Sequence, residues 1–169
     1  MTQLIVFKGK PGVGKSTIAS AFAQKINCPV IHKDDINDII FAKFGANKES
    51  SELSYNIILY FVANLLKTNK FNQIIVDCSL AKKESYQLFQ DFTNSQKIIL
   101  KVIEVYLEDN QKLITRLSQR NNLPDHRIKK PEDIIKQGLS YDNYQVRNVI
   151  KIDSAKPLTE IINKIVDHL

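Results

Sequence analysis

The residues best suited to chemistry stand together near the start of the chain: Gly9-Lys10-Pro11-Gly12-Val13-Gly14-Lys15-Ser16, followed by Thr17. Their spacing fits G-x-x-x-x-G-K-[ST], a loop whose backbone N–H groups cradle phosphate oxygens. The three glycines let the backbone curl until several N–H groups point inward. A helix that begins at this point adds its unpaired N–H groups and its dipole, which favour an anion. Lys15 has the reach for β- and γ-phosphates, and the Ser16 hydroxyl is placed to ligate magnesium. These features predict a nucleotide-binding site formed by Gly9 to Thr17.

Three further groups carry candidate chemistry. Asp77 closes the apolar run Ile74-Ile75-Val76, where a phosphate-loop protein often keeps a carboxylate near magnesium. Asp34 and Asp35 follow another short apolar run. A carboxylate there can accept the proton of an attacking hydroxyl, and Asp34 is the preferred base, with Asp35 read as a helix cap. Arg116 and Arg120 lie four residues apart and share a helical face, from which guanidinium groups can neutralise charge developing on a transferred phosphoryl group. His126-Arg127 and Lys129-Lys130 read as a flexible basic loop. The three histidines have no metal-ligand pattern and form no defensible Ser-His-Asp order.

These groups need elements to position them. Leu4 to Phe7 is a continuous apolar run, typical of a buried parallel strand. Ile18, Ala19, Ala21, Phe22, Ala23 and Ile26 then mark one face of a helix. Cys28 to Ile31 predicts a second strand, followed by a helix carrying Ile36, Ile39, Ile40 and Phe44 that stops at Gly45. A longer helix is predicted after Ser50-Ser51-Glu52. Ile74 to Val76 is the third strand, 81–92 a helix, and Ile98 to Leu107 the fourth strand. Asp109 to Gln119 predicts a helix with an acid at its start and arginines near its end, both favourable with the dipole. The polar, basic stretch 121–131, with no apolar stripe to bury, suits a mobile lid, and Pro131-Glu132-Asp133 opens another helix. Val146 to Ile152 and Leu158 to Val166 complete the pattern as a strand and a helix.

Strands alternating with helices imply a parallel sheet covered on both faces, with ligands beyond the carboxyl ends of its strands. That rule gathers the loop, Asp34 and Asp77 at one edge. With 169 residues, 43% hydrophobic and 25% charged, the chain suits a single domain. A net charge of +6 permits phosphate or nucleic-acid partners. Cys28 and Cys78 supply neither a disulfide framework nor metal spacing. The first residues lack the pattern of a signal peptide and no run is long enough to span a membrane, so a soluble, cytoplasmic protein is expected.

At Gly9 to Thr17, Asp34-Asp35, Ile74 to Asp77 and Arg116-Leu-Ser-Gln-Arg120, the chain resembles the small P-loop kinases. That group includes the kinase domain of polynucleotide 5′-kinase, zeta toxins, chloramphenicol phosphotransferase and proteins described only as predicted ATP-binding kinases. Ile152-Asp153 with Ala155-Lys156-Pro157 also resembles the loop that passes the nucleotide base. The resemblance implies Asp34 as general base, Asp77 near the acceptor or metal, and Arg120 as a lid arginine at the phosphates. It differs at Asn37, where polynucleotide kinases place an arginine that grips the substrate's phosphate; an amide cannot replace that guanidinium. The expectation is therefore an α/β P-loop NTPase fold over residues 1–169, with a five-stranded parallel sheet ordered 2-3-1-4-5 and a lid at about 120–131. The expected activity is transfer of the γ-phosphoryl of ATP, with magnesium, to a hydroxyl of a small acceptor. A nucleic-acid 5′-end kinase and a nucleotide-binding regulator or toxin-like protein are the alternatives.

Overall fold

The computed structural model describes residues 2–119, 144–146 and 148–169. The first apolar run forms β1 (Gln3–Lys8), buried on both sides, and the next helix is α1 (Lys15–Ile26). There follow β2 (Val30–His32), α2 (Lys33–Phe44), α3 (Lys48–Lys67) and β3 (Gln73–Asp77). The chain continues through α4 (Lys83–Gln96), β4 (Ile99–Tyr106) and α5 (Asn110–Ser118). It ends with β5 (Val149–Asp153) and α6 (Leu158–Asp167). The five strands form one parallel sheet in the order β2-β3-β1-β4-β5, as expected.

Alternation along the strands gives the sheet two apolar faces. Ile5, Phe7, Ile75, Ile103 and Ile152 pack with α1, α5 and α6 through residues such as Phe22, Leu117 and Ile165. Leu4, Val6, Ile74, Val76 and Val102 pack with α3 and α4 through Ile58, Val62 and Phe89. Burial on both faces explains why β1 and β3 read as unbroken apolar runs. Parallel pairing also brings every strand's carboxyl end to the same edge, where the phosphate loop leaves β1.

Several boundaries differ from the sequence expectations. Asp35 does not cap α2: the helix starts at Lys33, His32 occupies the cap position, and both acids lie in the first turn. The cause is the length of β2, which pairs with β3 only through His32, so the chain turns at once. α3 starts earlier than expected because the Asn47 side chain accepts from Ser50 N at 2.8 Å, a cap not anticipated. The last strand covers Val149–Asp153, not Val146 to Ile152. Ile39 and Phe44 are 76% and 57% exposed, although their spacing suggested a buried stripe. Beside a three-residue edge strand, α2 packs mainly on α3 and buries only Lys33 and Ile40. The expected lid and the helix opening at Pro131 lie outside the described residues.

Candidate active site

The loop from Gly9 to Gly14 joins β1 directly to α1. A Cβ on Gly9, at φ +147°, would stand 2.2 Å from the Val105 carbonyl oxygen of β4. One on Gly12, at φ +83°, would stand 2.6 Å from Leu117 Cδ2. Both positions therefore require glycine for space as well as torsion. Lys15 opens α1 and its Nζ donates to the Lys10 carbonyl at 3.0 Å, so the ammonium lies across the loop it serves. Ser16 and Ser20, one turn apart on α1, share a face.

Asp77 terminates β3 and is 5% exposed. The sheet register sets His32 of β2 directly beside it. His32 Nδ1 donates to Asp77 Oδ2 at 2.9 Å, while Ser20 Oγ lies 3.1 Å from His32 Nε2. Burial alone would raise the Asp77 carboxyl, but the His32 bond, the Lys15 charge and the Ser16 hydroxyl outweigh it and hold it below the ordinary value. His32 rises above its usual value, chiefly through the same bond to Asp77. Asp77 Oδ1 is buried with no hydrogen-bond partner among the described residues. An orphaned buried carboxylate oxygen calls for an explanation, and a cation supplies one.

Magnesium therefore fits here. Among the described residues no group of three His, Cys, Asp or Glu side chains could hold a metal by itself. An ion at this site would be held by Ser16, Asp77 and the nucleotide's own phosphates, which suits a cation that keeps most of its ligands as water and phosphate.

Asp34 lies in the first turn of α2, exposed, two residues beyond His32 and close enough to act on its charge. Its neighbour Lys33 is buried. The Lys33 ammonium donates to Asn37 Oδ1 and Ser51 Oγ, both at 3.2 Å, and sits 4.3 Å from the centre of the Tyr55 ring. Burial pushes this lysine below its ordinary value. Asn37 is thus engaged within the packing of α2 on α3.

Arg116 of α5 is committed to the loop's far side. Its Nη1 donates to the Val13 carbonyl at 3.3 Å and to Ser154 Oγ at 3.1 Å, and Nη2 donates to the Ser154 carbonyl at 3.0 Å. Arg116 lines a cavity of about 440 Å³ with Gly12, Gly14, Thr17, Ser154 and Lys156. This cavity adjoins the 152–157 stretch expected to pass a nucleotide base. A second cavity of about 580 Å³ borders Gly9 and Lys10 on the other side, lined also by Lys8, Glu104, Tyr144 and Lys151. Lys8 Nζ pairs with Glu104 at 3.4 Å inside it and lies 4.6 Å from the centre of the Tyr144 ring. Arg120 lies outside the described residues.

Of the expected site residues, the structure gathers Lys15, Ser16 and Asp77 and places Asp34 beside them through His32. Ser20 and His32 were missed. No local spacing announces them, because they meet only when β2 pairs with β3 against α1.

A family model described as an AAA domain matches residues 4–142. The chain belongs to this family. No curated protein sequence matches it. Among solved structures, this AAA-domain chain is similar to a gluconokinase from Sinorhizobium meliloti 1021. Their TM-score is 0.68 at 19% identity, covering 98% of this chain and 90% of that one. It is also similar to a sugar kinase from Janibacter sp. HTCC2649, with TM-score 0.72, 14% identity and coverage of 99% and 94%. An APS kinase from Mycobacterium tuberculosis, solved with AMPPNP and APS, gives TM-score 0.70 at 14% identity, covering 99% and 96%. The fold is that of small P-loop kinases. No described helix is long and apolar enough to cross a membrane.

Proposed function

We propose that this chain is an ATP-dependent kinase of the cytoplasm that transfers the γ-phosphoryl group to a hydroxyl of a small-molecule acceptor. The observation that carries the reading is the meeting of Lys15, Ser16 and Asp77, whose Oδ1 has no hydrogen-bond partner among the described residues, at the mouth of the phosphate loop. The gluconokinase, sugar kinase and APS kinase with similar folds support kinase chemistry in general.

In this reading the N–H groups of Gly9 to Thr17 hold the triphosphate, and Lys15 bridges its β- and γ-phosphates. The base occupies the 440 Å³ cavity beside Arg116 and Lys156. Magnesium, when bound with the nucleotide, neutralises charge on the β- and γ-phosphate oxygens; Ser16 and Asp77 are the residues that would hold it. Asp34 accepts the proton of the acceptor hydroxyl as its oxygen bonds to the γ-phosphorus. The bond from that phosphorus to the β-phosphate oxygen breaks, ADP leaves, and Asp34 returns its proton to solvent. Arg116 shapes the loop through Val13, and Arg120 is proposed to stabilise charge on the transferred group.

The engagement of Asn37 by Lys33 favours a small acceptor over a polynucleotide, because no guanidinium stands there to grip a nucleic-acid phosphate. The test is a metabolite screen for ADP release from Mg-ATP, with single-stranded oligonucleotides in the same panel and Lys15→Ala as control. The expected outcome is turnover with one small hydroxyl compound that disappears in the variant. Turnover on oligonucleotides alone, or undiminished turnover in Lys15→Ala, would reject the reading.

A further inference from the structure

The His32 ring is held at both nitrogens, and the direction of each bond can be worked out. The Asp77 carboxylate only accepts, so His32 Nδ1 carries the hydrogen of the 2.9 Å bond. In the neutral ring Nε2 is then an acceptor, and the Ser20 hydroxyl, 3.1 Å away, donates to it. Ser20 thereby favours the tautomer that Asp77 needs. The chain supplies this arrangement from three separate elements: Ser20 from α1, His32 from the end of β2, and Asp77 from the end of β3.

The consequence lies on the other carboxylate oxygen. With Oδ2 tied to His32, rotation of the carboxylate is blocked and Oδ1 has a fixed place. Among the described residues it is buried without a hydrogen-bond partner, while the Lys15 charge and the Ser16 hydroxyl act on the carboxylate. Leaving a buried charged oxygen unpaired is costly, so the arrangement makes sense when the oxygen is reserved for a cation. Partners that orient a metal-binding carboxylate are a recurrent way of tuning affinity.

We infer that His32 is a positioning residue: it pins the Asp77 carboxylate so that Oδ1 stays available to the nucleotide's magnesium ion, and Ser20 holds the His32 ring in the required tautomer. The inference rests on the reading of Asp77 as the carboxylate that serves the metal. The competing role is a structural pin fastening the three-residue strand β2 to β3, which would affect folding and leave metal dependence alone.

The discriminating experiment is calorimetry of AMPPNP binding, first in EDTA and then over a range of magnesium concentrations, on variants whose folding is checked by thermal melting. In His32→Ala, metal-free affinity should stay near wild type, while the magnesium concentration that half-maximally tightens binding rises about 10–100-fold. His32→Asn and His32→Gln separate position from mere hydrogen bonding, and remain informative if the alanine variant does not fold. The asparagine amide can donate from near the place of Nδ1 and should recover most of the effect. The glutamine amide reaches the place of Nε2, bonds Ser20 and should behave like alanine. Ser20→Ala should give a smaller rise in the same direction. An unchanged magnesium requirement in His32→Ala or His32→Gln overturns the positioning role, as does equal behaviour of the asparagine and glutamine variants. Asp77→Asn tests the underlying reading separately: if it binds Mg-AMPPNP like wild type, Asp77 does not serve the metal and the role of His32 falls with it.

Discussion

At the scale of single residues, the acids after β2 have to be told apart by what they do. Both lie in the first turn of α2, where a negative charge is favourable with the helix dipole, so each has a structural reason to be there. The proposed difference is chemical: Asp34 receives a proton and Asp35 does not. Asp34→Asn preserves shape and removes the acceptor, so turnover on the acceptor found by screening should fall by at least about 100-fold, the lower end of general-base contributions. Nucleotide affinity should stay nearly intact. Asp35→Asn removes one favourable charge from the first turn, costing roughly 0.3–1 kcal/mol of stability with little change in turnover. Steady-state kinetics at saturating ATP decide it, and an inactive Asp35→Asn beside an active Asp34→Asn would exchange the two roles.

Elements meet at Arg116, which ties α5 to the phosphate loop at Val13 and to the β5–α6 connection at Ser154. Gly12 has Leu113 and Leu117 of α5 against it, so that helix also backs the loop apolarly. Arg116→Ala removes three donated bonds and leaves the loop's outer wall to the leucines alone. Hydrogen bonds from a charged donor contribute about 1.5–3 kcal/mol, and the partial exposure of Arg116 discounts that figure. Nucleotide affinity should fall by about ten-fold in titration calorimetry, with a lower melting temperature. Arg116→Lys should not restore it, because one ammonium cannot reproduce the planar fork that reaches Val13 and both oxygens of Ser154. Unchanged affinity in Arg116→Ala would show that α5 is not needed to shape the loop.

For the whole molecule, the proposed reading seats a nucleotide at the carboxyl edge, against the connections after β1 and β5 and near those after β2 and β3. Binding only to the folded state stabilises it by about 2.7 kcal/mol at a ligand concentration one hundred times the Kd. In a chain of this size that raises the melting midpoint by roughly 5–10 °C. Mg-ATP should produce such a shift in scanning calorimetry, and Lys15→Ala should lose most of it. A midpoint that ignores Mg-ATP at millimolar concentration would mean that the loop does not hold nucleotide as proposed.

The phosphate loop, the alternation of strands with helices, and the gathering of Asp34 and Asp77 at one edge could all be read from the sequence. Each rests on local chemistry: contiguous residues set the loop's torsions and its turn into α1, and burial on both faces leaves unbroken apolar runs in β1 and β3. Strand order entered through resemblance to the small P-loop kinases, and the sheet agrees with it. The helices of the sheet faces followed from periodicity, but periodicity could not tell that α2 stands beside an edge strand too short to cover Ile39 and Phe44. Tertiary structure alone decided the partners. His32 and Asp77 are 45 residues apart and meet through the register of β2 on β3, while Arg116 finds Val13 across 103 residues. Neither spacing has a period or motif that announces it, because a sheet pairing or a helix packing brings together residues whose separation along the chain carries no physical constraint. The local chemistry named the groups suited to a phosphate and its cation, and the packing of α1, β2 and β3 determined which oxygen of Asp77 is tied to His32 and which has no hydrogen-bond partner among the described residues.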